Sequence, residues 1–321
     1  MTDDLLERVR ATGLLRAGRP VVVLLSGGRD SVCLLDVAVR LAGPGAVSAL
    51  HVNYGLRAEA AGDEALCRGL CEQRDIAVEI LTARRPEDAG NLQAWARDVR
   101  LGTGARMATA LGARLATGHT ATDQAETVLY RLAASPGRRA LLGMAARDGL
   151  LVRPLLGVTR DETAAHCVAR GLAWREDASN DDLGFARNRA RAGLVPALRE
   201  LHPAAERNVV RTAELLREEA AVLDEVVETA LAGRDRIEVA HLGALPPALA
   251  RLVLRRLAED AAGRLCARAA ARLADVLALG DGALDLGDGA RAVVAGGVLR
   301  VEQTPPGRSA PEPAGQPQSL S

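Results

Sequence analysis

The chain has 321 residues, which at roughly 100–200 residues per domain suggests two domains, and its 48% hydrophobic and 26% charged residues are those of a globular protein with a sizeable core. All 41 basic residues are arginine, they meet 41 acidic ones, and the zero net charge excludes a uniformly basic polyanion binder. Aromatics are only 2%, so any nucleic-acid contact must rest on arginines and backbone rather than on stacked rings. Charge is nevertheless uneven: nine arginines face five carboxylates between Arg84 and Arg139, and seven face three between Arg187 and Arg217. Such stretches suit a polyanion held along one face, and they equally fit ordinary solvated helix surfaces. The five cysteines are scattered without a CxxC pair, which reads as reduced thiols in the cytoplasm. The segment MTDDLLERVR is acidic and has no apolar stretch of a leader, and the run Val21–Leu25 is too short to cross a bilayer, so no membrane is expected.

Taken in chain order, Val21–Leu25 reads as a buried strand and Asp30–Leu41 as a helix. A strand at Ala46–Val52, a helix at Glu59–Arg74, a strand at Val78–Leu81 and a long helix at Asn91–Leu111 follow, then a strand at Arg114–Thr117 and a helix from Asp123 to Ala133. Strands alternating with helices of this length imply an α/β fold: a Rossmann-like parallel sheet with helices on both faces. Thr159 and Glu162 have the spacing of a capping box opening a further helix. From Ala204 the pattern changes to long helical periodicity up to Leu231, a helix opened by Pro246 and Pro247, a helix at Cys266–Leu279, and short β runs at 283–286, 291–295 and 298–301. The expected division is a catalytic domain over 1–203, a helical linker with a small α+β domain over 204–302, and a disordered proline-rich tail over 303–321.

The strongest chemical signal is Ser26-Gly27-Gly28-Arg29-Asp30-Ser31, set between the buried strand and the first helix of the sheet. Adjacent glycines let the backbone turn tightly and present its N–H groups, together with a helix N-terminus, to a phosphate. Ser26 and Ser31 add hydroxyls. Asp30 beside phosphates is repulsive unless a cation intervenes, which Mg²⁺ would supply. A Walker A loop is ruled out because the chain has no lysine. Further on, Gly118 and His119 stand at the end of a strand, where ligands bind in open α/β sheets. Asp123 and Glu126 are three apart on one helix face, a seat for an ammonium group, a metal or a base.

The SGGxDS loop resembles the pyrophosphate loop of the PP-loop ATP pyrophosphatase superfamily. With His51-Val52-Asn53-Tyr54-Gly55-Leu56-Arg57, Asn91 through Arg100, His119–Thr127, and Asn180 through Arg187-Asn188-Arg189-Ala190-Arg191, the chain is similar to the tRNA(Ile)-lysidine synthase family over about residues 20–220, and more loosely to 302. The resemblance implies ATP-dependent adenylation of the wobble cytidine C2 oxygen of tRNA(Ile) with a CAU anticodon, then attack by free L-lysine with release of AMP. It implies that Ser26, Gly27, Gly28, Arg29, Asp30 and Ser31 hold ATP, with Asp30 on Mg²⁺, and that His51 and Gly118 line the adenosine pocket. His119 would lie beside the reacting groups, Asp123 and Glu126 would receive lysine, and Arg187 would neutralise the transition state. Arg97, Arg100, Arg189 and Arg191 would touch the substrate or the tRNA; a homodimer is compatible. The chain departs from the family pattern at Tyr54, Leu101, Thr120 and Thr122. The competing readings are a PP-loop tRNA thiolase, an amidotransferase-coupled synthetase and a non-catalytic tRNA-binding homologue.

Overall fold

The computed structural model describes residues 2–55, 60–86, 90–134, 138–175 and 189–305. They divide into two compact units, Met1–Arg217 and Glu218–Ser321. The tail expected to be disordered lies outside the described residues from 306 onward.

In the first unit the helices are α1 (Thr2–Ala11), α2 (Arg29–Ala42), α3 (Ala60–Glu72), α4 (Leu92–Ala110), α5 (Ala121–Ala134), α6 (Arg138–Leu141), α7 (Arg160–Ala169) and α8 (Val195–Leu201). They are interleaved with β1 (Val21–Leu24), β2 (Val47–Asn53), β3 (Ala77–Thr82), β4 (Arg114–Ala116), β5 (Arg147–Asp148) and β6 (Leu151–Val152). The six strands form one sheet in the order β3-β2-β1-β4-β6-β5, parallel throughout except for the β5–β6 edge pair. All four side chains of β1 are buried, as a central parallel strand requires. Val21 and Val23 pack on one face with Leu5 and Val9 of α1, Leu34 of α2 and Leu70 of α3. Val22 and Leu24 pack on the other with Ala108 of α4 and Leu115 of β4. Each fully buried side chain of this kind contributes roughly 1.5–3 kcal/mol, and the strict alternation fixes the strand register.

Two features of this unit position the site. First, the chain runs outward from β1 through β2 to β3 and then returns to place β4 on the other side of β1. The carboxyl ends of β1 and β4 therefore flank the point where strand order reverses, the place ligands occupy in such sheets. Second, α7 lies along α2 through a buried polar seam. The Asp36 carboxylate is hydrogen-bonded to His166 Nε2 at 2.9 Å and lies 3.6 Å from Arg170 Nε. Burial alone would raise the Asp36 pKa, but the His166 bond and the arginine charge hold it below the usual carboxylate range.

In the second unit a four-stranded antiparallel sheet runs β7 (Arg236–Glu238), β10 (Val298–Gln303), β9 (Ala290–Ala295), β8 (Gly282–Gly287). It goes with α9 (Ala205–Leu231, which crosses the division), α10 (Val239–Ala244), α11 (Pro247–Ala262) and α12 (Leu273–Ala278). Ala290, Ala292 and Val294 alternate inward toward Val253, Leu254 and Leu257 of α11. Pro247 opens α11 and Gly263 closes it in the left-handed conformation at φ +65°. The helix expected at Cys266–Leu279 is shorter than the periodicity suggests: α12 begins at Leu273, after a 3₁₀ turn at Ala269–Arg272. The reason is local capture of donors. Asp288 accepts from the Arg268 N–H at 3.0 Å and Glu259 from the Cys266 N–H at 3.3 Å, so these N–H groups are satisfied outside a helix. Among the described residues no helix is long and apolar enough to cross a membrane.

Candidate active site at the switch point

The loop after β1 is preorganised by its own hydroxyls. Ser31 donates from Oγ to the Gly28 carbonyl at 2.7 Å, while Ser31 Oγ accepts from the Ser26 N–H at 3.2 Å. Ser26 Oγ accepts from the Gly28 N–H at 3.3 Å. Gly27 sits at φ +85°, which a residue with a side chain adopts only under strain. Its carbonyl accepts from the Arg175 N–H at 3.0 Å. Arg29 and Asp30 open α2, and their charged groups lie 3.6 Å apart. Asp30 does not stand alone: its Oδ2 accepts from Arg160 Nε at 3.1 Å and its Oδ1 accepts a short hydrogen bond from the Thr163 hydroxyl. Both partners come from the first turn of α7, whose capping box joins Thr159 and Glu162 reciprocally.

Gly118 brings the end of β4 directly against this loop. A Cβ on Gly118 would lie 2.9 Å from the Asp30 carbonyl oxygen and 3.1 Å from the Ser31 nitrogen, so only glycine permits the approach. His119 follows, with Nδ1 2.8 Å from the Thr117 hydroxyl. Burial, reinforced by the charges of Arg153, Arg100 and Arg97, pushes its pKa down to about 4 against the pull of Asp123. The imidazole is therefore neutral at neutral pH. His51, at the end of β2, is only 4% exposed and spends its Nδ1 on the Leu25 carbonyl at 2.9 Å. It thereby ties β2 to the end of β1.

Asp123 and Glu126 do share a face of α5, and one cation joins them. Arg191 donates from Nε to Glu126 Oε1 at 2.5 Å and from Nη2 to Glu126 Oε2 at 3.0 Å, with Nη2 3.5 Å from Asp123 Oδ1. Glu126 is 2% exposed, and burial raises its pKa against the opposing Arg191 bond. Asp123 also closes the start of α5, its Oδ2 accepting from the Thr120 N–H at 2.8 Å and hydroxyl at 2.7 Å. Arg191 lies in a π-helical turn, Ala190–Leu194, just ahead of α8. Pro196 lacks the N–H that a continuous α-helix would bond to Ala192, and wide turns of this kind recur at functional sites. Arg97 is exposed and Arg100 half-buried on α4, and Arg189 is exposed. Arg187 lies outside the described residues.

The PP-loop domain family matches residues 4–198. A tRNA(Ile)-lysidine synthase from Thermus thermophilus is 42% identical over 75% of this chain and 48% of its own length. Enzymes of the same name from Symbiobacterium thermophilum (37% identical; 95% of this chain, 70% of the relative) and Salinispora tropica (41%; 76% and 78%) match more of their own length. The chain belongs to the tRNA(Ile)-lysidine synthase family. It spans about half the length of the Thermus relative. Among solved structures, the U34-tRNA thiolase NcsA of Methanococcus maripaludis with its [4Fe-4S] cluster shares the fold at a TM-score of 0.57 and 19% identity, over 67% of this chain and 78% of that one.

The sequence-derived residues Ser26–Ser31, Gly118, His119, Asp123 and Glu126 gather at the ends of β1 and β4, and Arg191, also singled out from the sequence, reaches Glu126 from the turn that leads into α8. Two members were not expected from sequence: Arg160 and Thr163. The capping box at Thr159 and Glu162 marked where their helix starts. Nothing local showed that its first turn faces Asp30, 130 residues earlier.

Proposed function

We propose that this chain is an ATP-dependent tRNA-modifying ligase, acting in the cytoplasm on tRNA(Ile) with a CAU anticodon and free L-lysine. The observation that carries the reading is the meeting, at one switch point, of a phosphate loop with a carboxylate pair, buried Glu126 and half-buried Asp123, already holding a guanidinium. The cytidine C2 oxygen attacks the α-phosphorus of ATP and pyrophosphate leaves. The lysine ε-amine then attacks C2, the C2–O bond breaks, AMP leaves and the amine loses a proton. Ser26, Gly27, Gly28, Arg29 and Ser31 receive the phosphates, while His51 and Gly118 border the adenosine. Neutral His119 takes or gives a hydrogen bond beside the reacting base. Asp123 and Glu126 receive a lysine amine in exchange for Arg191, whose guanidinium becomes free for the lysine carboxylate. Arg97, Arg100 and Arg189 contact the RNA, and Arg187 stabilises developing charge.

Asp30 is the carboxylate that would hold Mg²⁺ together with the ATP phosphates, since this ion is commonly held by one or two carboxylates plus substrate phosphates. It would do so through the lone pairs left beside its bonds to Arg160 and Thr163. The ion would supply charge neutralisation on the departing pyrophosphate. The cysteines speak against the thiolase reading: all five are buried, and burial pushes Cys67 up to about 12 and Cys71 to about 11, leaving protonated thiols rather than sulfur nucleophiles. We assign the catalytic steps to residues 1–203, and to 204–302 a role in positioning the tRNA.

The deciding experiment is ATP-dependent transfer of labelled lysine to the tRNA, lost when the wobble cytidine is changed. Asp30→Ala is expected to abolish pyrophosphate release. Asp123→Asn keeps an oxygen to cap α5, so it is expected to spare pyrophosphate release and to lower lysine transfer at least a hundredfold, about 3 kcal/mol of lost stabilisation. Undiminished lysine transfer in Asp123→Asn would overturn the assignment of the carboxylate pair.

A further inference from the structure

The chain returns to the loop after β1 at Arg175. Beyond α7 the Leu172 N–H donates to the Cys167 carbonyl at 2.9 Å, Trp174 packs against the core of the first unit, and the Arg175 N–H donates to the Gly27 carbonyl at 3.0 Å. This bond decides which way the Gly27–Gly28 peptide faces. In a trans peptide the C=O and the following N–H point in opposite directions. With the Gly27 carbonyl held on Arg175, the Gly28 N–H is turned toward Ser26 Oγ, which accepts it at 3.3 Å. Glycine on both sides makes rotation of this peptide plane easy, because neither residue has a Cβ to clash. A rotated plane would put a carbonyl oxygen where an anion needs a donor. The Arg175 side chain is fixed in turn. Its Nε lies 2.8 Å from Oδ1 of Asp63, in the first turn of α3. A Cβ on Gly62 would come 2.6 Å from its Nη1 and 3.1 Å from its Cζ, so the guanidinium occupies the space that a side chain at 62 would claim. The same helix borders the loop: a Cβ on Gly27 would lie 3.4 Å from Cys67 Sγ and 3.7 Å from the Asp63 carbonyl. One wall, α3, therefore meets both the loop and the residue that holds it.

We infer that Arg175 is a positioning residue for the phosphate loop: anchored by Asp63 in a berth that Gly62 leaves open, it holds the Gly27–Gly28 peptide with its N–H, rather than its carbonyl, turned to the phosphates of ATP. The inference rests on the ATP use proposed above and adds to it residues that stand behind the loop. A loop held in its receiving conformation before ATP arrives binds without a further ordering cost. That is the physical reason for a side-chain anchor behind a turn made of two glycines. The Asp63 side chain is 16% exposed and that of Arg175 44%. Solvent screens a pair of this kind, so the expected effect of breaking it is a few-fold shift in ATP affinity rather than loss of binding.

The test is ATP binding to the full chain by calorimetry, with steady-state pyrophosphate release beside it. In Gly62→Ala the two possible roles of Arg175 predict different results. Alanine is a better helix residue than glycine, and the guanidinium it displaces is the far end of a flexible side chain, so the melting temperature is expected to stay at or above that of the wild type. ATP affinity is nevertheless expected to fall about fivefold. The KM for ATP should rise in step, with kcat at saturating ATP within about twofold of the wild type and the KM for lysine unchanged. Asp63→Asn and Arg175→Gln are each expected to give a similar loss, and the double variant no more than either alone, since the two side chains act as one anchor. A merely structural role predicts unchanged ATP binding in a Gly62→Ala protein that is at least as stable. That result overturns the anchor, as does an additive loss in the double variant or a fall in kcat with the KM for ATP unaltered. If the unaltered chain binds no ATP, the functional reading fails and the anchor with it; if it binds and the folded variants match it, the anchor alone fails.

Discussion

At the scale of single residues, His119 shows how position sets chemistry. Its pKa falls from an ordinary 6.5 to about 4, through burial first and then the charges of Arg153, Arg100 and Arg97. Above 6.5 neither folded nor unfolded chain binds this proton, and below 4 both do. Between those values the unfolded chain binds more protons, so stability falls as pH is lowered through the window. The full shift corresponds to about 3 kcal/mol, and residual solvent contact of the ring reduces the expected loss to roughly 1–3 kcal/mol. Urea melts of the wild type and of His119→Gln between pH 7 and pH 4 check this: the wild-type curve should slope more steeply, and equal slopes would mean that the ring is solvated. The residues of this site were legible in sequence to unequal degrees. The Ser26–Ser31 loop announces itself because its chemistry is contained in six consecutive residues. The Asp123–Glu126 pair is visible as a helix-face spacing, but its partner Arg191 stands 65 residues beyond Glu126. That pairing depends on how a π-helical turn is docked, which no local pattern encodes.

At the scale of elements, α7 connects a capping box to the loop after β1. The Glu162 side chain accepts from the Thr159 N–H at 2.7 Å, and Thr159 Oγ1 accepts from the Glu162 N–H at 3.3 Å. Burial would raise the Glu162 pKa, but its bonds to Arg8 and Thr159 outweigh that and hold it at about 2. Since Arg160 and Thr163 of the same first turn grip Asp30, fraying here loosens the phosphate loop. Thr159→Ala is expected to cost about 1 kcal/mol of stability and to raise the KM for ATP several-fold. Chemical denaturation and a pyrophosphate-release assay measure the two effects, and a stability loss without any change in ATP KM would uncouple the cap from the site. This capping box was readable from two residues three apart, and β1 to β4 were readable as short, largely apolar runs separated by helical stretches. The β5–β6 pair was not: strands of two residues carry no periodicity, and they exist because β6 finds β4 as a neighbour. The helix expected from Cys266 failed for a related reason, since Asp288, twenty residues away, captures the Arg268 N–H.

At the scale of the whole molecule, two units with separate cores predict separable stabilities. Leu254 is fully buried among Val253, Leu257, Leu286 and Leu299, in a cluster drawn from the second unit's helices and its antiparallel sheet. The phosphate loop, by contrast, rests on the apolar faces of β1, among Val21–Leu25, Leu34 and Leu50. Leu254→Ala removes three carbons from the second cluster and is expected to destabilise that unit by about 2–5 kcal/mol, the spread reflecting how far the cavity can collapse. A chain of two such units need not unfold in one step, so the loss should appear as an earlier, separate transition. Hydrogen exchange should accelerate in β9 and β10 while the amides of β1 and β2 keep their protection. ATP affinity should remain within about twofold of the wild type, because no residue proposed to hold ATP belongs to the second cluster. Lysine transfer to tRNA should fall further than ATP affinity if the second unit positions the RNA, since binding energy remote from the reacting atoms is used to orient them. If exchange accelerates equally in β1 and β10, the two cores unfold as one cooperative body, and the division of labour between them loses its physical basis.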